Sequence, residues 1–320
     1  MTPLFAGGEL EAFKIVAGTP DENIDFTRYD TNCARCAIRM SNNCVVETPA
    51  FTASSSLWVH WESHHISGYG ISSLVLVNGS GTALFRVRET SADNLQMQYW
   101  NGSAWTNIGS AVSVVGYAQR VIDIKLVGGS SGSAEFYLGG TFQTSGSASM
   151  TSVTNITKAQ WGESTLSQST WLSQMIVADT STIGHKFYLR PPTGNGVNTA
   201  WTGDCTSVDE LAITDADYIE SGTASQVETF THAAITLPSG QAVKAVVVSA
   251  RAAAAAGGPQ NMQFAIRRGS TDYFSSSVSG LASGYAPFVG IFVNDPSTSA
   301  QWTSSNAGSV STEFGLKSIA

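Results

Sequence analysis

Residues 95–105 read LQMQYWNGSAW, and the fold class turns on this stretch. Leu95, Met97 and Tyr99 alternate with Gln96 and Gln98, the period-2 spacing of a strand with one face in a core and one in solvent. Asn101-Gly102 then breaks the pattern. Asn and Gly tolerate the positive φ angles of tight hairpins, so the chain is expected to turn back here and return through Trp105. Working outward, the same reading recurs. In LWVHWES (57–63), Leu57, Val59 and Trp61 fall on one face and Trp58, His60 and Glu62 on the other. ALFRVRE (83–89) sets Phe85 and Val87 against Arg86 and Arg88, and RVIDIKLV (120–127) sets Ile122, Ile124 and Leu126 against Asp123 and Lys125. Asn78-Gly79 marks one further turn, and Gly128-Gly129 and Gly139-Gly140 bracket AEFYL (134–138) as a hairpin. Strands repeating at this spacing predict an all-β sandwich or barrel. Helix is expected only as single turns, within 27–40 and at Ala252–Ala256. The alanine run ends in Gly257-Gly258-Pro259 and reads as a loop between strands.

Composition narrows the function classes. Charged residues make up 12% of the 320, against about 25% in an average soluble domain, while apolar residues make up 42%. Such a surface is polar without being charged, and 8 Trp, 9 Tyr and 14 Phe supply the area for real cores. The formal net charge is −8 with only 16 Lys and Arg, a poor match for phosphate backbones or anionic lipid. No apolar run approaches the 18 or so residues of a membrane-spanning helix. The first residues, MTPLFAGGELEAFK, lack the basic start and long apolar core of a secretory signal, so synthesis in a cytosol is expected.

The second half carries a pattern of its own between Gln174 and Leu316. It runs QMIVADTSTIGHKFYLRPPTGNGVNTAWT (174–202), VDELAITDADYIESG (208–222), VKAVVVSARA (243–252), AIRRGSTDYF (265–274), FVNDPSTSAQWT (292–303) and EFGLKS (313–318). This succession of spaced Trp, Asp-Tyr, Arg-x-Gly and Asp-Pro elements resembles the C-terminal module of tailed-bacteriophage virion proteins. Those proteins carry an N-terminal concanavalin A-like (laminin-G-like) jelly roll. The hairpins upstream, closed by the returning strand in AQWGESTLSQSTWLSQMIVAD (159–179), are similar to that jelly roll in order. Pro191-Pro192 and the Gly-Asn-Gly at 194–196 break the pattern. The expected organisation is two antiparallel β-sandwich domains, a jelly roll over 1–182 and a phage-type domain over 183–320. The resemblance implies a structural component of a phage virion, made in the bacterial cytoplasm and resident on the particle. A tail-fibre, tail-tip or baseplate-associated protein that touches host-surface glycan is the first expectation. A capsid-decorating or head-fibre protein is the alternative, and a glycan-degrading tailspike a third. Other virion proteins and a homo-oligomer, a trimer by family analogy, are the implied partners. No nucleic acid or membrane insertion is implied.

Candidate chemistry is sparse. Retaining glycanases need two carboxylates about 5–5.5 Å apart, which on a strand appear as alternating acidic residues. Glu9/Glu11, Asp209-Glu210 and Asp215/Asp217 do not make that pattern and read as solvated or turn carboxylates, so no enzyme activity and no cofactor are expected. Cys33-x-x-Cys36 with Cys44 and Cys205 falls short of the paired halves of a zinc site and reads as free thiols in a reducing compartment. His60, His64 and His65 beside Trp58 and Trp61 read as hydrogen-bonded residues at a sheet edge. Asp204, Asp209, Asp215 and Asp217 offer oxygens to calcium without an EF-hand loop, with Tyr218 expected in the core. The binding candidates are Tyr99, Trp100, Asn101 and Trp105. Their rings and amide flank one turn, placed either to stack on sugar rings or to clamp the hairpin or a subunit contact. Asn78, Asn101 and Asn155 sit in glycosylation triplets that a chain without a secretory signal does not use.

Overall fold

The computed structural model describes residues 1–25, 27–41, 43–65, 72–91, 94–114, 119–162 and 169–320, with only the backbone of His65, Ser72, Ser73 and Ser91. Residues 163–168 of the expected returning segment lie outside the described residues. The chain divides into two compact units, Pro3–Phe187 and Tyr188–Ala320.

The first unit is all-β. Its strands are β1 (Pro3–Gly7), β2 (Lys14–Ala17), β3 (Asp21–Asn23), β4 (Ala37–Met40), β5 (Val45–Glu47), β6 (Ser56–His65), β7 (Ser72–Asn78) and β8 (Ala83–Ser91). They continue as β9 (Asn94–Trp100), β10 (Trp105–Ser113), β11 (Gln119–Val127), β12 (Gly129–Leu138), β13 (Thr141–Met150), β14 (Ile156–Gly162) and β15 (Thr170–Ala178). Among the described residues they form two antiparallel sheets. One is eight-stranded, in the order β13-β12-β11-β6-β15-β4-β3 with β1 also paired to β15; the other is seven-stranded, β10-β9-β8-β7-β14-β5-β2. Hairpin runs β7–β10 and β11–β13 stay within one sheet, and the chain crosses to the other between β6 and β7, β10 and β11, β13 and β14, and β14 and β15, as in a jelly-roll sandwich.

Alternation along each strand decides what the sandwich encloses. Leu57, Val59, Trp61, Ile124 and Phe136 from one sheet and Leu74, Leu76, Phe85, Val87 and Trp161 from the other are wholly buried. Each such side chain contributes about 1.5–3 kcal/mol of transfer free energy. Phe13 bridges the layers, its ring 5.1 Å from Phe5 and 6.0 Å from Trp161.

The turns follow backbone chemistry. Gly139 (φ 58°) and Gly140 (φ 75°) join β12 to β13 with both residues left-handed, the two-residue loop of a type I′ hairpin. The Asn-Gly turns differ from the expected form. Positive φ falls on Gly81 (84°) and Gly102 (101°), while the preceding Asn78 and Asn101 cap longer loops with their side chains.

The outward face of the eight-stranded sheet is not open throughout. β6 lies inside the sheet between β11 and β15, and on it His60, expected as a hydrogen-bonded residue at a sheet edge, and Glu62 beside it are each 1% exposed. The segment after β15 crosses them. Thr182 Oγ1 donates to Asp123 Oδ1 at 2.6 Å, and Lys186 Nζ reaches Asp30 Oδ2 at 2.8 Å and Glu62 Oε1 at 3.8 Å. Gln174 sits at φ 53° where the β15 register shifts, and its amide pairs with both backbone groups of Phe187, at 2.9 and 3.1 Å. These anchors explain why the first unit runs to Phe187, beyond the expected 182/183 division. Within 27–40, where one short turn was expected, residues 27–33 form turns and Ala37–Met40 is strand β4, pairing with both β3 and β15.

The second unit contains β16 (Pro192–Thr199), β17 (Val227–His232), β18 (Val246–Ala252), β19 (Asn261–Arg268), β20 (Thr271–Phe274), β21 (Ala286–Phe292) and β22 (Thr312–Ile319). A five-stranded sheet, β16-β17-β22-β19-β20, packs on the pair β18-β21. Val248 and Phe292 from the pair meet Met262, Phe264 and Ile266 around Trp302, whose Nε1 donates to the Phe292 carbonyl at 2.8 Å. The alanine run leaves β18 as a loop, and Gly290 lies so close to Phe264 that a Cβ there would come within 2.5 Å of its ring.

Burial has a titratable consequence at Glu22 in the first unit. Glu22 Oε1 accepts from the Leu10 backbone N–H at 2.8 Å while Oε2 is buried without a partner. Burial pushes this carboxyl up to about 8, with Glu9 and Glu11 adding repulsion and the Leu10 N–H and Arg35 opposing it. The native state therefore keeps a proton that the unfolded chain releases near pH 4.3 or so. The stability linked to it is complete below that value and is lost as pH rises through about 8. Replacing Glu22 by Gln should raise the denaturant midpoint at pH 9 and change it little at pH 4, measured by urea unfolding of both proteins.

Candidate functional site

The tip joining β9 to β10 is ordered by its own side chains. Asn101 Oδ1 accepts from the backbone N–H of Ser103 (2.9 Å) and of Ala104 (2.9 Å), and its Nδ2 donates to Thr106 Oγ1 at 3.0 Å. Its polar atoms hold the turn and are spent there. Trp100 and Trp105 are direct cross-strand partners, their rings 5.6 Å apart at 68°, an edge-to-face pair. Tyr99 is not with them. Consecutive strand residues point to opposite faces, so Tyr99 turns into the core and is 9% exposed. Of the four residues singled out in the sequence, the structure brings two together on the outward face of the seven-stranded sheet.

A neighbour from β8 completes that face. The Arg86 guanidinium carbon lies 4.2 Å from the centroid of the Trp105 ring, a cation–π contact worth about 0.5–2 kcal/mol. Arg86 Nε donates to Gln98 Oε1 at 2.7 Å, and Gln98 Nε2 donates to Asn107 Oδ1 at 2.7 Å. The ladder locks three strands into one surface of two indoles, two amides and a guanidinium. None of these groups exchanges a proton near neutral pH. They are suited to holding a ligand by ring contact and hydrogen bonds rather than to acid–base chemistry. Sequence alternation placed Arg86 outward, but only the β8–β9 register sets it over Trp105.

The remaining sequence candidates are scattered. Cys33, Cys36 and Cys44 are buried in the first unit and Cys205 lies in the second, all four as free thiols. Burial, then the Asp30 carboxylate, pushes the Cys33 thiol up to about 11; burial and the nearby Glu9 and Glu22 push Cys36 higher still. His60 Nδ1 faces Asp123 Oδ1 at 2.9 Å, and burial, with Arg28 nearby, holds His64 below the usual histidine range. The His65 side chain lies outside the described residues. Asp204 caps its own turn through Thr206, and Asp215 is held by Arg251 at 2.7 and 2.9 Å. Tyr218, expected in the core, is 48% exposed, because 208–219 forms turns rather than a strand beneath a second layer. Glu9, expected to be solvated, is 5% exposed and clasped by Arg35 at 2.6 and 2.7 Å. Among the described residues no three His, Cys, Asp or Glu side chains are grouped to hold a metal ion.

No family model matches the chain, and no curated protein matches it. Among solved structures it is similar to the globular domain of T. cruzi calreticulin, at TM-score 0.44 and 10% identity over 56% of this chain and 89% of that one. It is similar to the cellulose-induced protein Cip1 at TM-score 0.41 and 12% identity, over 55% and 97%. An endo-β-1,4-glucuronan lyase from Trichoderma reesei gives TM-score 0.41 and 10% identity, over 56% and 96%.

The two roles at the tip are separable. Asn101→Ala should cost about 1 kcal/mol in urea unfolding through the lost turn bonds. Trp105→Ala should leave the turn intact and release Arg86, read as loss of the ring-current shift on its side-chain protons.

Proposed function

We propose that the chain is a glycan-contacting β-sandwich protein acting by binding, with Trp100 and Trp105 as its contact residues. The observation that carries this reading is the Trp100–Trp105 pair braced by Arg86 on an outward sheet face. A half-exposed indole offers a flat apolar surface to the C–H face of a sugar ring, and Gln98 and Asn107 offer amide hydrogen bonds to its hydroxyls. Rigid anchoring lowers the ordering cost of binding. With the sequence resemblance to tailed-phage virion proteins, the setting we infer is a tail-fibre, tail-tip or baseplate-associated component. It would work on the particle surface as a homo-oligomer among other virion proteins and meet host-surface glycan.

The aromatic pair also favours a second reading. Indoles left half-exposed on a sheet face fit a neighbouring subunit as well as a sugar, which is what a capsid-decorating or head-fibre protein would need. Binding of the intact chain to a printed glycan array, repeated with Trp100→Ala and Trp105→Ala, tests the first reading. Binding is expected, weakened about tenfold by either substitution. Array binding that is absent, together with cryo-EM density for the chain on a capsid lattice and its indoles against a neighbour, would replace it with the second.

A further inference from the structure

The outward face of the eight-stranded sheet carries another aromatic group, one the sequence reading did not single out. Pairing aligns Trp58, Lys125 and Glu135 in one cross-strand row and His60, Asp123, Tyr137 and Phe142 in the next. The rings meet both between the rows and along the second one. Trp58 and Tyr137 lie 5.5 Å apart at 31°, and Tyr137 and Phe142 lie 5.7 Å apart at 74°. Polar groups are interleaved with them. Lys125 Nζ donates to Glu135 Oε1 at 2.7 Å and sits 6.0 Å from the Trp58 centroid, while the Tyr137 hydroxyl donates to Glu135 Oε2.

The two rows meet different fates. His60 and Asp123 are sealed beneath the segment that carries Thr182, but Phe142 is 53% exposed and the Lys125 and Glu135 side chains are 35% and 23% exposed. A ring left in water forgoes its burial energy unless something covers it. The covering group must satisfy an ammonium, a carboxylate and a phenol set between rings, which a purely apolar partner surface does not do. A pyranose does both, with C–H faces for the rings and hydroxyls that donate and accept. Lys125 and Glu135 cancel each other's charge, and a chain of net charge −8 repels acidic polymers.

We propose that Trp58, Tyr137 and Phe142, with the Lys125–Glu135 pair, form a second glycan-contact surface, selective for neutral hexopyranose chains. It lies on a different sheet from Trp100 and Trp105, so neither surface depends on the other. The hydroxyl of Tyr137, pushed up to about 12 by its bond to Glu135, remains a donor across the whole pH range of interest.

The test is titration of the full chain, with ¹⁵N-labelled indoles, against cellohexaose and maltohexaose, with polygalacturonate as the acidic control. Trp58→Phe and Trp105→Phe assign the relevant signals. The expected result is a saturable shift of the Trp58 indole with a neutral hexaose, weakened about tenfold by Phe142→Ala and unchanged by Trp105→Ala. Glu135→Gln, which keeps all three rings, should weaken it too. Movement of the Trp100 or Trp105 signals while Trp58 stays still would overturn the second surface and leave the first standing. Movement of Trp58 alone would support the second surface and silence from all three indoles would overturn it, while the first is decided on the glycan array. A Trp58 shift with polygalacturonate only would refute neutral selectivity. A fall in sedimentation mass on Phe142→Ala, with no Trp58 shift, would make the strip a self-association surface and refute the proposal.

Discussion

Asp123 is wholly shielded from water, and the outward side of the eight-stranded sheet is arranged around that fact. A buried carboxyl group needs partners for its oxygens, and here Oδ1 meets both the His60 ring and the Thr182 hydroxyl while Oδ2 is buried with no hydrogen-bond partner. The hydroxyl comes from beyond β15, so this contact requires the chain to double back across the sheet. The same passage brings Lys186 to Asp30 and Glu62 and puts Phe187 against the Gln174 amide. A β-sandwich with one water-facing side per sheet thereby becomes one with a covered region and an open region side by side. The open part holds the Trp58, Tyr137 and Phe142 rings.

Much of the layer structure was legible from alternation. LWVHWES, ALFRVRE and RVIDIKLV assigned the correct residues to the core because a one-residue error would have turned whole strands inside out. Gly139-Gly140 announced its hairpin because few other residues accept two consecutive left-handed positions. The all-β class followed from the same signals, and the alanine run was readable as a loop from the glycines that end it.

What was not legible depends on register and on distant chain. Tyr99 and Trp100 look like one aromatic cluster in sequence and are split by the sheet. Arg86 reaches Trp105 only because β8 pairs with β9 in one particular alignment, and Phe142 joins Tyr137 only through a shift in the β12–β13 ladder. Glu9 reads as a solvated residue near the start of the chain until Arg35 closes on it. Tertiary contacts, not local pattern, decide each of these.

The anchoring of Phe187 also determines how the first unit would carry load. Tension drawn through the chain from residue 188 does not arrive at an edge strand, where hydrogen bonds would unzip one at a time. It arrives first at the paired bonds between Gln174 and Phe187 and then at the Thr182–Asp123 contact. Gln174 and Asp123 lie on β15 and β11, both flanked by neighbours within the sheet. The pull is therefore delivered to interior strands, and the segment after β15 works as the clamp that passes it to them.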